Sequence, residues 1–149
     1  IDVTDELKSP ISEIYRNQNS FVFMNDNNLV QINLNGSTKI SPLPLETNYS
    51  LVSSQNKLIY MTENIITIND QNFELKFGNY TNPQLFFDEF ISITELDLNR
   101  IFILKADGSS FDNFPIYGSS SIDVFVEKNK NKLLVSVGEE NEILVYSIN

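Results

Sequence analysis

The stretch SLVSSQNKLIYMTENIITINDQNFELKF, residues 50–77, decides the fold class. Its short apolar runs are Leu51-Val52, Leu58-Ile59-Tyr60-Met61, residues 65–68 and residues 73–77, and polar, Asn-rich links separate them. Ile66 and Ile68, then Phe73, Leu75 and Phe77, recur at period two, the spacing that puts side chains on one face of a strand. The stretch reads as a small antiparallel meander. Immediately before it, FVFMNDNNLVQINLNGSTKI (residues 21–40) lies beside LIYMTENIITINDQNFELKF (residues 58–77), with Met24 opposite Met61 and Ile32 opposite Ile68. The chain repeats itself.

Outward from this pair, a first repeat covers residues 11–45. Its strands over 21–24 and 29–34 are joined by Asn25-Asp26-Asn27-Asn28, a good hairpin turn. Asn35-Gly36 is a second turn, and Pro42 and Pro44 make residues 39–45 an edge strand or a connection. The second repeat is 48–78. A third, 85–117, has runs over 90–96 and 101–104, a turn at Asp107-Gly108 and a closing piece over 111–116; residues 85–90 allow a helical turn at most. A fourth, 119–149, has strands over 122–126, 133–137 and 143–148, with a turn over 128–131. A period of roughly 30–40 residues marks repeat architectures, propellers among them. One such sheet cannot bury both apolar faces alone, whereas neighbours packed face to face can.

The expected fold is therefore all-β: one domain over 1–149, a small or partial β-propeller of about four blade-like antiparallel meanders. The last repeat has no room for a fourth strand, and residues 1–8 are a candidate to supply it. That acidic segment would otherwise hold only a short helix stopped at Pro10.

Composition excludes several functions. The net charge is −10, and the ten basic residues form no stripe, only Lys128, Lys130 and Lys132 in one turn. That is the wrong sign for nucleic acid and for anionic membrane surfaces. No apolar run approaches the ~18 residues of a membrane helix. Cysteine and histidine are both absent, which removes disulfides, thiolate chemistry, Ser-His or Cys-His triads and His/Cys zinc sites. The chain begins at Ile1 rather than Met, as a processed product or an excised piece would.

The C-terminal third carries a more specific pattern. Asp107-Gly108 stands at a turn, Phe114-Pro115-Ile116-Tyr117-Gly118 at a connection, and Gly138-Glu139-Glu140-Asn141 at the next turn. In this it resembles the blades of bacterial β-propeller proteins of the FG-GAP and quinoprotein-like type, which implies the end of a larger repeat protein. In FG-GAP blades a D-x-D-x-D-G turn commonly holds calcium. The matching turns here, Asp97-Leu98-Asn99-Arg100 and Glu127-Lys128-Asn129-Lys130-Asn131, place an arginine and two lysines where about six to eight oxygen ligands would be needed. No metal and no cofactor is expected.

Carboxylate chemistry remains. A glycosidase needs two carboxyl groups facing each other at roughly 5–10 Å. Asp88-Glu89 and Glu139-Glu140 are neighbours in sequence, and neighbours on a strand point to opposite faces. They read as solvated charge. The candidate ligand surface is aromatic: Tyr80, Phe86 and Phe87, with Phe90, beside Asp88 and Glu89. The competing reading has these phenylalanines filling the space between two sheets. Asn35-Gly36-Ser37, Asn48-Tyr49-Ser50 and Asn79-Tyr80-Thr81 match the glycosylation pattern, as an Asn-rich chain does by chance.

The sequence thus predicts a non-catalytic recognition or scaffolding domain of an exported bacterial protein, periplasmic or at the cell surface. A protein or carbohydrate ligand and a homodimer through open sheet edges are its expected partners. The alternatives are a carboxylate-dependent hydrolase acting on glycan, or a structural terminal cap of a longer repeat protein.

Overall fold

The computed structural model describes residues 13–43, 50–54, 57–105, 107–118, 122–127, 132–139 and 142–148, of which 132–139 and 148 are described by backbone alone. The expected closing strand over 1–8, Pro44 and Leu45, the acceptor at Asn48, the turn over 128–131 and Glu140-Asn141 lie outside these residues. The chain divides into two compact units, Ile1–Phe77 and Gly78–Asn149. No helix among the described residues is long and apolar enough to cross a membrane.

The first unit contains two four-stranded antiparallel sheets built from consecutive strands. β1 (Tyr15–Asn17), β2 (Ser20–Asn25), β3 (Asn28–Asn33) and β4 (Thr38–Pro42) form one; β5 (Ser50–Ser53), β6 (Leu58–Thr62), β7 (Ile65–Ile68) and β8 (Gln71–Glu74) form the other. The turns explain the Asn-rich links. Asp26, Glu63, Asn69 and Asp70 all adopt positive φ of 45–69°, a region that Asn and Asp tolerate better than most residues and that tight hairpins require.

The repeat alignment holds at Met24 and Met61, which pair with Leu29 and Ile66 at equivalent rungs. It slips by one at Ile32. Val22 pairs with Gln31, and Ile59 with Ile68, so Ile68 is the counterpart of Gln31. Two two-residue turns of equal length leave no room for the extra residue that matching the isoleucines required.

This unit buries Val22, Phe23, Met24, Val30, Ile59, Met61, Ile66 and Ile68; the run Val22-Phe23-Met24 is continuous, so β2 is covered on both faces there. The Asn17 amide nitrogen buckles the two sheets together, donating to Ser53 Oγ at 3.1 Å and to the Ser54 and Lys57 carbonyls at 3.0 and 3.2 Å. The expected Phe73-Leu75-Phe77 face is not formed. The β7–β8 ladder runs from Ile68↔Gln71 to Ile65↔Glu74 and stops there. Asn64, in the turn, holds Leu75 at that end, its carbonyl accepting from the Leu75 N–H at 2.7 Å and its side-chain amide donating to the Leu75 carbonyl at 2.9 Å. Phe77 ends 87% exposed.

The second unit has a four-stranded sheet, β9 (Gln84–Phe86), β10 (Phe90–Glu95), β11 (Arg100–Lys105) and β12 (Ile116–Tyr117), and a three-stranded one, β13 (Ile122–Glu127), β14 (Lys132–Glu139) and β15 (Glu142–Ile148). Residues 85–90 are not a helical turn: β9 pairs with β10 through Phe86↔Phe90, Leu85↔Ile91 and Gln84↔Ser92. The closing piece over 111–116 is also not a strand. Only Ile116 and Tyr117 join the ladder, against Ile101 and Arg100, so the Phe114-Pro115 connection contains the outer strand itself. Phe111 turns inward instead, its ring 6.0 Å from those of Phe90 and Phe114, with the Lys105 ammonium 5.0 Å above it. The core joins the two sheets face to face: Phe90, Ile101 and Ile103 from one, Val124 from the other, flanked by Ile122, Val126 and Tyr146. Every residue of β10 is buried, so this strand is covered on both faces.

Candidate recognition surface

The β9–β10 hairpin separates the residues that sequence reasoning grouped. From Tyr80 onward the chain runs antiparallel along β10: Tyr80 bridges Glu95, Gln84 faces Ser92, and Phe86 faces Phe90. Five strand residues at about 3.4 Å each put Tyr80 and Phe86 roughly 17 Å apart, at opposite ends of β10. Tyr80 is therefore removed from the candidate cluster. Phe86 and Phe90 face the core, as the packing alternative anticipated. Phe87, Asp88 and Glu89 remain together at the hairpin tip.

The tip is closed by Glu89 N–H donating to the Phe86 carbonyl at 3.0 Å. Phe87 and Asp88 have φ of 55° and 57°, the pair of left-handed conformations of a type I′ turn. Such turns favour Asn-Gly, since glycine has no Cβ and asparagine tolerates the left-handed region, where other residues cost roughly 1–2 kcal/mol. A bulky residue there is an outlier. Phe87 is also 63% exposed, so little burial offsets the cost. Asp88 and Glu89 are exposed beside it. The result is a protruding aromatic ring flanked by two carboxylates.

At the far end of the hairpin lies a cluster that sequence reasoning missed. Glu95 is buried, and its Oε2 accepts from Arg100 Nε at 2.7 Å and pairs with Nη2 at 2.5 Å. The Arg100 guanidinium lies 5.8 Å from the centre of the Phe102 ring, and Tyr80 meets Phe102 edge-on at 6.4 Å. Burial first, then the Glu95 carboxylate, raises the Tyr80 hydroxyl above its usual pKa, against the opposing pull of Arg100 and with a further push from Asp97. Asp97 accepts from the Asn79 side-chain and backbone N–H groups at 2.8 and 3.0 Å, which hold its carboxyl below the ordinary value. The signal was available, because strands over 90–96 and 101–104 joined by a short turn set Glu95 across from Arg100. The ion pair ties β10 to β11 beside the turn that joins them.

A third feature is a cleft of about 390 Å³ lined by Asn19, Asn33, Leu34 and Asn35. Its amides are partly engaged: Asn33 Nδ2 donates to Ser37 Oγ at 2.8 Å, and Asn35 Oδ1 accepts from Ser37 N–H and Oγ. No group of three or more His, Cys, Asp or Glu among the described residues is placed to hold a metal ion. At the first turn matched to the FG-GAP calcium loop, Asp97 is bonded to Asn79 as above; at the separate Asp107-Gly108 turn, Asp107 accepts from Ser109 N–H and Oγ at 2.9 and 2.6 Å.

No protein-family model matches the chain, and no curated protein matches it. Solved structures do. A streptogramin B lyase is similar with a TM-score of 0.56 and 18% identity, over 94% of this chain and 56% of that one. A virginiamycin B lyase from Staphylococcus aureus, made catalytically inactive by a histidine-to-alanine substitution and solved with Quinupristin, gives 0.59 and 18%, over 94% and 57%. Hsv2 of Kluyvelomyces marxianus gives 0.51 and 12%, over 93% and 51%. The fold is that of β-propeller proteins, in blade-like antiparallel meanders. The chain spans a little over half the length of these proteins.

Proposed function

We propose that this chain is a non-catalytic recognition module that docks a protein partner through the hairpin tip Phe87-Asp88-Glu89. The observation that carries the reading is Phe87: a solvent-exposed aromatic ring held in a backbone conformation that costs it free energy. Features of this kind concentrate where function requires them. A ring projecting from a convex tip suits insertion into a recess on another protein, since small-ligand sites are concave. Aromatic anchors dominate such contacts. Asp88 and Glu89, on a chain of net charge −10, favour a recess rimmed by lysine and arginine. Glycan is the weaker reading, resting on the asparagine-lined cleft.

Support for a non-catalytic role comes from the residue inventory. The lyase named above loses activity with one histidine, and this chain has none. Kinship with FG-GAP or quinoprotein-like blades in an exported or cell-surface bacterial protein belongs to the same reading, supported by Asp107-Gly108 and the Phe114-Pro115 connection.

The test is a paired array of basic peptides and of glycans probed with the wild type and with the Phe87→Asn, Asp88→Gly variant. Binding to basic peptides, weakened at least roughly tenfold in the variant, is the expected result. Equal binding by both proteins, or retention on glycans alone, overturns the assignment to the tip. A structural cap would bind neither array.

A further inference from the structure

Edge strands expose a row of unpaired N–H and C=O groups, and folded proteins guard them with brevity, charge or proline. Most outer strands here are guarded in this way. β1, β9 and β12 have three, three and two residues, and β1 carries Arg16. β5 and β8 have four each, and β8 ends in Glu74. β4 carries Lys39 and Pro42. β13 carries an exposed Asp123 as its second residue and ends in Glu127.

β15 is different. It has seven residues, EILVYSI, and no other described strand pairs with its outer side. Its single charge, Glu142, sits at one end. Ile143 and Val145 are 76% and 64% exposed, on the sheet face that also carries Phe125, 59% exposed. Tyr146, on the opposite face, packs against the core.

We propose that β15 is a dimerisation strand, pairing antiparallel with β15 of a second copy of this chain about a two-fold axis at Val145. The sequence is self-complementary in that register. With full overlap Val145 stands opposite its own copy, Leu144 opposite Tyr146, Ile143 opposite Ser147, and Glu142 opposite Ile148. No like charges meet, so the usual cross-strand penalty is absent. The alternation of faces continues across the junction, which joins two three-stranded sheets into one of six. Self-pairing about a two-fold is closed, so assembly stops at two chains. Each copy bears a net charge of −10, so added salt, by screening the repulsion, tightens the pair.

Sedimentation velocity and light scattering on the 149-residue chain test this. The expected result is twice the chain mass at about 100 µM, dissociating on dilution. Val145→Lys and Val145→Glu each place like charges at the axis and weaken assembly at least roughly tenfold. Val145 is exposed, so both variants keep the wild-type circular dichroism. Mixed one to one, they pair lysine against glutamate and recover the doubled mass. A wild type that stays at single-chain mass at that concentration overturns the proposal. So do variants that assemble as the wild type does, a mixture no better assembled than its components, or oligomers that grow without limit.

Discussion

The replacement Phe87→Asn with Asp88→Gly writes into the β9–β10 tip the dipeptide that a type I′ turn prefers. Both residues sit at positive φ, 55° and 57°. Relief of left-handed strain contributes roughly 1 kcal/mol at position 87, where asparagine keeps a Cβ but tolerates that region better than phenylalanine, and roughly 1–1.5 kcal/mol at Asp88, where glycine removes the Cβ. Two terms oppose it. Glycine loses more backbone freedom on folding, about 0.5–1 kcal/mol. Losing the ring forfeits about a third of the ~2–3 kcal/mol that full burial of Phe would contribute, because Phe87 is mostly exposed. The net is a gain of about 1 kcal/mol. For a chain of this size that raises the melting temperature by roughly 2–4 °C, and urea unfolding gives the same quantity independently. A variant that is no more stable than the wild type, or less so, would falsify the claim that the tip is held under strain, and with it the reason for reading Phe87 as functional.

Other variants probe the interior. Asn17→Leu removes the amide that joins the first two sheets, while the Lys57 carbonyl keeps the Ser54 N–H at 2.9 Å and Ser53 Oγ at 2.8 Å; the loss in chemical denaturation is that of a hydrogen bond, about 0.5–1.5 kcal/mol. Arg100→Met leaves Glu95 buried beside no counter-charge and costs about 3–5 kcal/mol, whereas replacing both by apolar residues of similar size recovers most of that loss. Ile103→Ala empties space between the two sheets of the second unit and costs about 2–5 kcal/mol. Burial first, then its bond to Glu13, pushes the Tyr15 hydroxyl up to about 12 from 10.0. Its folded-state value is raised, so its contribution to stability is complete below pH 10.0 and is lost as pH climbs toward 12. Ultraviolet titration of Tyr15→Phe should lack one tyrosine step near pH 12. Asp97 and Asp107 are shifted the other way by their hydrogen bonds to Asn79 and Ser109. Their contribution is present above the ordinary carboxylate pKa and disappears as pH falls through the lowered folded values, which an acid-unfolding comparison with Asp97→Asn would detect.

Hairpins were legible wherever a period-two run met an Asn- or Asp-rich turn, as at residues 21–34 and 58–68. Both signals are local, and both act through the backbone. β9 escaped because three residues carry too little period, and because Phe-Asp is not a turn dipeptide one expects. Phe77 was misplaced because alternation continues in sequence past the last rung of the ladder, and a ladder's length is set by its partner strand. The candidate surface was half legible. Sequence proximity grouped Tyr80 with residues 86–89, but an extended chain lying along β10 carries near neighbours to opposite ends of a strand. Glu95 and Arg100 went unnoticed for the complementary reason: their meeting depends on the register of two strands rather than on either one.

β10 carries one more implication. β11 flanks it along its whole length and β9 over Phe90–Ser92, and all six of its residues are buried, so its amides are better shielded than those of the outer strands. In deuterium these amides should be among the slowest in the second unit to exchange, at a rate governed by cooperative opening rather than by fraying. The exposed tip at Phe87 is thus tethered to the part of its unit that yields last, and the ring is displayed from a stiff mount.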